Sequence, residues 1–411
     1  MTHVRSGSEN AAVPRVRLLA ALAVACVAAG FVAGPGGAGR TSLQARLAEA
    51  LRGSGVSPAR AGVLAVDMVT GKTVFALNPW RPLAPASNEK LAVTFAALEA
   101  LGPAFRIETT VLGQGRLEGS TWRGDLVLRG RGDPTLSRAG LAELAQEIRA
   151  QGIRRVTGSI LGDETYFDSR RIAYGWKSEF YVNESPPLGA LAVDRSNAVD
   201  PALEATAAFR AALVAAGVHV DGRSLLGRAT ATSFPLASIL SPPLRDLVRF
   251  MDTESDNYTA ELLLKQLGAS LLHQGTGPAG AAVVVGTLRT AHIPVAGLRI
   301  VDGSGLSRLD RLTARAIVAL LRAAYADPLV RPTFLAALAV AGRTGTLADR
   351  LQSPPARGNV LAKTGTTSAA SALSGFVKVR YAFAILQNGN PVPAWSARAA
   401  QDRFAAVLAS E

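Results

Sequence analysis

The chain has 411 residues, 48% apolar and 18% charged, with 44 Lys and Arg against 31 Asp and Glu. It is too long for one ordinary domain, apolar enough to build cores, and too sparsely charged to be a disordered polymer. The formal charge of +13 suits an anionic neighbour, such as nucleic acid, membrane lipid or an acidic polymer, and equally a basic surface that arose by Lys-to-Arg drift.

Arg15 and Arg17 precede an apolar run from Leu18 to about Gly34, followed by the small residues of "PGGAG". A basic start, an apolar stretch and small residues describe an export signal that is either cleaved or kept as an N-terminal anchor. The run is short and rich in Ala and Gly for a permanent span, which needs about 20 residues. Cys26 is the only cysteine, and "LAVAC" around it is a poor lipoprotein box. The exported part therefore has no disulfide and no thiolate chemistry. His3, His219, His273 and His292 stand apart in the sequence, without metal-ligand spacing. Metal-free chemistry outside the cytoplasm, or binding, is what remains.

"TSLQARLAEALRGSG" has helical spacing, and "AGVLAVDMVTGKTVFALN" reads as two strands around a Thr-Gly turn. A Pro-rich loop then leads into an apolar helix from about Ser87 to Leu101, closed by Gly102. From about Arg106 to Pro235 short β-like runs alternate with Gly turns and two helical pieces. Helical periodicity returns at "LRDLVRFMDTESDNYTAELLLKQLG" and "RLTARAIVALLRAAYAD", and strand signals at "VLAKTGT", "ALSGFVKVR" and "YAFAILQNG" precede a final helix. The expected organisation is a signal or anchor over 1–40 and an α/β domain built from 41–105 and 241–411, with a β-rich insert over 106–240.

Only six lysines occur, at 72, 90, 177, 265, 363 and 378, so each is conspicuous. Ser87 and Lys90 are three apart, which on a helix brings the amine to the hydroxyl. A Ser hydroxyl is a weak nucleophile until a base takes its proton, and a Lys serves once burial lowers its pKa. Taken alone the pair equally fits a helix N-cap followed by a surface Lys. Ser255 and Asn257, two apart beside a helix start, offer a proton relay and a donor for a substrate carbonyl, or simply another cap. In Lys363-Thr364-Gly365-Thr366 a strand would put Lys363 and Gly365 on one face and the threonines on the other. Gly365 would let a substrate backbone lie close, and the Thr366 N–H would face a carbonyl oxygen. A strand-edge Lys before a turn is the plain alternative.

Each motif is weak; their order is specific. S-x-x-K, then S-x-N, then K-T-G marks penicillin-binding proteins and class A β-lactamases. From about Gly62 onward the chain resembles the low-molecular-mass class C group of penicillin-binding D-alanyl-D-alanine carboxypeptidases/endopeptidases. The likeness includes "PASNEK", "RGRGDPTLS", "VDGSGLSRLDRLT" and "RTGTLADRL". It implies an α/β (α+β) fold of the serine β-lactamase/DD-transpeptidase type, an antiparallel sheet flanked by helices, plus the β-rich insert. It implies Ser87 as acylated nucleophile, Lys90 as its base, Ser255 as relay to the leaving D-alanine and Lys363 as electrostatic tuner. Asn257 would hold the acyl-side amide, and Thr364 and Thr366, on either side of Gly365, the terminal carboxylate. The Ser87 and Thr366 N–H groups would form the oxyanion hole. Arg308 and Glu179 would meet the two ends of a diaminopimelate side chain, with Thr367 and Ser368 beside it. The implied partners are peptidoglycan stem peptides, β-lactams as covalent inhibitors, and anionic wall polymers or a membrane surface. No cofactor, metal or nucleic acid is implied, and the implied location is the periplasmic or extracellular wall side. The rival readings are a β-lactamase-like hydrolase and a non-catalytic wall-binding scaffold of the same fold.

Overall fold

The computed structural model describes residues 42–411, so the expected signal segment with Arg15, Arg17 and Cys26 lies outside the described residues. The described residues open with α1 (Leu43–Leu51), the strands β1 (Ala61–Asp67) and β2 (Thr73–Leu77), and α2 (Glu89–Leu101). It continues through β3 (Glu108–Glu118), β4 (Thr121–Arg129), α3 (Arg138–Ala150), β5 (Arg155–Val156) and β6 (Ile160–Asp163). Next come α4 (Pro201–Ala215), β7 (His219–Val220), β8 (Ser224–Leu226) and β9 (Phe234–Leu240). Helices α5 (Leu244–Glu254), α6 (Asn257–Leu272), α7 (Gly277–Thr290), α8 (Ala314–Ala326) and α9 (Arg331–Ala337) follow. The strands β10 (Ala339–Val340), β11 (Val360–Thr366), β12 (Ala370–Val377) and β13 (Tyr381–Asn388) and the helix α10 (Ala394–Ala409) complete the chain.

Both ends of the chain build one antiparallel sheet in the order β10-β11-β12-β13-β1-β2. Side chains alternate across a strand, and here both faces are covered, so these strands read as nearly unbroken apolar runs. Leu64, Val66, Ala372, Phe376, Ala384 and Leu386 face the helical layer of α2 and α5–α9. Val63, Ala65, Leu373, Val377, Phe383 and Ile385 face α1 and α10. On that second face Phe404 of α10 is fully buried, 5.4 Å edge-to-face from Phe75 and 6.4 Å from Phe383.

Residues from β3 to β9 form a second, mixed sheet. The β3–β4 hairpin and β9 pair antiparallel, whereas β5 and β6 pair with β4 in parallel, each followed by a further short parallel strand. Helices α3 and α4 pack their apolar sides on it through Leu141, Leu144, Ile148, Ala205 and Phe209. A small cluster joins this segment to α6: Phe167, Leu188 and Ala190 meet Tyr258, Leu262 and Ala269. That contact brings the loops after β6 against the start of α6, where Ser255 and Asn257 lie.

Emptying the second core layer tests this account of the sheet. Phe404→Ala should cost about 3–5 kcal/mol of unfolding free energy, the range for a large buried aromatic, read from urea denaturation midpoints.

Candidate active site

Pro85 leads into a single 3₁₀ turn, Ala86–Asn88, before α2 begins at Glu89. The helix thus starts slightly later than the sequence pattern suggests. Ala86 takes a left-handed backbone (φ 48°). Gly305 makes this possible: a Cβ there would lie 1.9 Å from the Ala86 carbonyl oxygen. Ser87 is not an N-cap; its Oγ lies 3.2 Å from Lys90 Nζ.

Lys90 is fully buried, and its Nζ reaches Asn257 Oδ1 at 2.8 Å and the Ser304 carbonyl at 2.8 Å. The Asn257 amide is oriented by its own Nδ2, which donates to the Glu184 carbonyl at 3.0 Å. Two of the three Lys90 partners can only accept, whereas the Ser87 hydroxyl can also donate. A neutral amine has two hydrogens and one lone pair. With both hydrogens given to Asn257 and Ser304, the lone pair is left facing the Ser87 proton. This is the geometry of a general base. Burial draws the Lys90 pKa down to about 8, against the pull of Asp302 and Glu261.

Ser255 ends α5 in a left-handed conformation (φ 64°, ψ 36°), and Asp256, not Ser255, caps α6 by accepting from Thr259 N. Arg195 grips Asp256 with two bonds of 2.8 and 3.0 Å. The turn carrying Ser255 and Asn257 is therefore held from the inserted segment at two points, Glu184 and Arg195.

Lys363 lies inside β11, fully buried, opposite Ser374 of β12 and one residue past the stretch that pairs with β10. It is no solvent-exposed lysine. The expected alternation holds: Lys363 and Gly365 face α2, while Thr364 bonds Thr346 at 2.8 Å and Thr366 accepts from Arg398 at 3.0 and 3.2 Å. Asn88 Nδ2 donates to the Lys363 carbonyl at 3.0 Å, which ties the serine turn to the strand. A Cβ on Gly365 would come within 2.9 Å of Ser87 N, so only glycine lets the strand approach the Ser87 turn this closely. Burial, then the charge of Lys90, lowers the Lys363 pKa to about 7. Two ammonium groups in one low-dielectric site cannot both hold a proton cheaply, so the pair titrates together.

Arg308 Nη2 donates to Ser368 Oγ at 2.9 Å, so these two predicted residues meet at one end of the cleft. Glu179 is exposed and pairs with Lys177 at 3.0 Å, although the charge of Arg308 also reaches it.

Within "VDGSGLSRLD" only Arg308 is expected from the sequence to have a role. Its carboxylates turn out to be framework. Asp302 accepts from Gly305 N, Ser307 N and Trp176 Nε1, each at 2.7 Å, and Asp310 accepts from Val301 N at 2.6 Å. Glu261 of α6 accepts from Gly303 N at 3.0 Å and Ser304 N at 2.8 Å. Together they fix the Ser304 carbonyl under Lys90. Burial, reinforced by neighbouring carboxylates, raises the pKa of Glu261 to about 8 and those of Glu89 and Asp310 well above their ordinary values. Five carboxyl groups, the fifth being Asp252 bonded to Thr94 at 2.6 Å, are thus buried around two lysines.

A family model matches residues 43–199 and 196–410, nearly the whole described chain. The chain belongs to the D-Ala-D-Ala carboxypeptidase 3 (S13) family. This S13 chain is 34% identical to a D-alanyl-D-alanine carboxypeptidase of Actinomadura sp. (strain R39), over 91% of its own length and 85% of the relative's. It is 31% identical to carboxypeptidase DacB of Mycolicibacterium smegmatis, over 84% and 79% of the two chains. Its fold is similar to that of penicillin binding protein 4 from Haemophilus influenzae, with a TM-score of 0.79 at 23% identity over 89% and 98% of the chains.

The Glu261 bonds separate framework from charge. Both N–H groups reach the same oxygen, Oε1, which a glutamine retains. Glu261→Gln should stay within about 1 kcal/mol of the parent, whereas Glu261→Leu, which orphans two buried donors, should cost about 2–5 kcal/mol in urea unfolding.

Proposed function

We propose that Ser87 is the nucleophile of this peptidase, with Lys90 as its base, and that the chain forms an acyl-enzyme on Ser87 from D-alanyl-D-alanine peptides. The family makes the chain a serine DD-peptidase of peptidoglycan. The observation that carries the residue assignment is the Lys90 amine, whose two obligate acceptors leave its lone pair to Ser87.

In this reading Lys90 takes the Ser87 proton as Oγ attacks the carbonyl of the penultimate D-alanine. The negative charge on the tetrahedral oxygen is met by the backbone N–H groups of Ser87 and Thr366. Each such donor is worth about 3–4 kcal/mol in acyl transfer. Ser255 passes the proton to the leaving amine, Asn257 Nδ2 lies on the acyl side, and Lys363 holds a labile positive charge beside the relay. Water then reverses the steps and frees the acid. Gly365 keeps the strand close enough for substrate to lie along β11. Arg308, Ser368 and Glu179 form the end of the cleft that would receive a charged stem-peptide side chain.

β-Lactams would acylate the same serine. A solved Haemophilus influenzae relative is complexed with a β-lactam, and a structurally similar Bdellovibrio bacteriovorus endopeptidase is acylated by penicillin G. Exported, wall-side action follows from this substrate and from the basic-then-apolar N-terminus. Among the described residues no helix is long and apolar enough to cross a membrane.

Fluorescent penicillin should label the wild type covalently and leave Ser87→Ala unlabelled; equal labelling of both would remove Ser87 from the mechanism. The pH dependence follows from the lysines, with pKa values lowered to about 7 and 8. The Lys90 base form accumulates as pH rises through about 8, so the acylation rate should climb from pH 6 through pH 8 and level only near pH 9. A flat profile over that interval in stopped-flow acylation would exclude a lysine base.

A further inference from the structure

The helix α10 is fixed to the large sheet by a buried polar anchor. Gln401 Nε2 donates to Ser371 Oγ at 2.9 Å and to Gln387 Oε1 at 3.0 Å, beside the buried Phe404 and Leu408. One turn earlier on the same helix is Arg398, exposed at the end of β11. Its Nε and Nη2 donate to Thr366 Oγ1 at 3.2 and 3.0 Å. Among the described residues its guanidinium has no carboxylate partner, whereas Arg350 beside it is committed to Asp402 at 2.7 Å. A guanidinium has five N–H donors in a planar fork suited to a carboxylate, and here a neutral hydroxyl receives two of them.

We infer that Arg398 binds the free C-terminal carboxylate of the substrate, together with Thr366, and so selects peptides that end in an acid. The assignment rests on the Ser87 reading above. Thr366 follows Gly365, whose Cβ position lies within 2.9 Å of Ser87 N. The carboxylate of a D-alanyl-D-alanine end lies about one residue repeat, ~3.5 Å, beyond the scissile carbonyl. A substrate laid along β11 with that carbonyl at Ser87 therefore brings its acid to the Thr366 end of the strand. The Thr366 oxygen accepts both Arg398 bonds, which leaves its own proton as a donor. Hydroxyl and guanidinium then present donors to one anion, a charge-assisted arrangement. Neither lysine does this work as well. Lys363 is buried and shares its charge with Lys90, whereas the Arg398 guanidinium is exposed and offers a planar fork of donors.

The test uses the full chain and two acyl-D-alanyl thioesters, one with thioglycolate as leaving group and one with its uncharged amide. The thioester makes both turn over without help from the carboxylate. Arg398→Gln should lower kcat/KM for the thioglycolate ester by roughly 10- to 100-fold, the range of one charge-assisted hydrogen-bonded pair, and leave the amide within about twofold. Arg398→Lys should restore part of the loss on the acid alone. Arg398 is exposed, and circular dichroism with urea midpoints will show that both variants are folded. Equal losses on the two esters mean that Arg398 merely braces Thr366, and overturn the inference. An unchanged acid-to-amide ratio overturns it too. Penicillin labelling of Ser87 in the same samples separates the two claims: labelled enzyme with an unchanged ratio removes Arg398 alone, and an unlabelled wild type removes the Ser87 reading with it.

Discussion

A single buried amine organises the site. Lys90 is fully buried, so each hydrogen of its amine must find a protein acceptor. Two acceptors come from distant parts of the chain, the Asn257 amide oxygen at the start of α6 and the Ser304 carbonyl in the loop before α8, and the Ser87 hydroxyl one turn away completes the set of partners. Burying a cation is expensive unless it is paired or loses its proton. Here both happen in part. Asp302 and Glu261 lie close enough to raise the Lys90 pKa while desolvation lowers it, and the balance falls at about 8.

The carboxyl groups that soften this cost do a second task. Asp302, Asp310 and Glu261 receive backbone N–H groups from one loop, Val301 to Ser307, and so hold rigid a segment without helix or strand. A loop carrying one of the Lys90 acceptors would otherwise be free to drift, and a misplaced acceptor would turn the Lys90 lone pair away from Ser87. Since burial raises the pKa values of Glu89, Glu261 and Asp310, the cluster adds less negative charge than a count of acids suggests.

The segment between the two halves of the large sheet is a working part of this arrangement. Glu184 orients the Asn257 amide, Arg195 holds Asp256, and Trp176 donates to Asp302. Arg195 does so from a left-handed backbone, with its guanidinium 5.1 Å from the Phe250 ring and 5.4 Å from that of Tyr258. Three separate residues of the segment thus touch the groups that surround Lys90, and the Phe167–Leu188–Tyr258 cluster keeps them in range.

The reaction class was legible in the sequence as an order of three motifs, Ser87 and Lys90, then Ser255 and Asn257, then Lys363 with the threonines around Gly365. The helical and strand spacings within the first and third can be read from neighbours in the chain. Five of the six strands of the large sheet were legible because each carries its own apolar pattern; β10, only two residues long, has too few to show one. Only the tertiary structure decided which way Asn257 faces, that Ser304 lends Lys90 a carbonyl, and that Glu261, Asp302 and Asp310 brace a loop. It alone brought Arg398, near the end of the chain, to Thr366. In sequence Glu261 and Arg398 look like any polar residue on a helix. Their roles come from contacts between residues far apart in the chain, and no local periodicity records these.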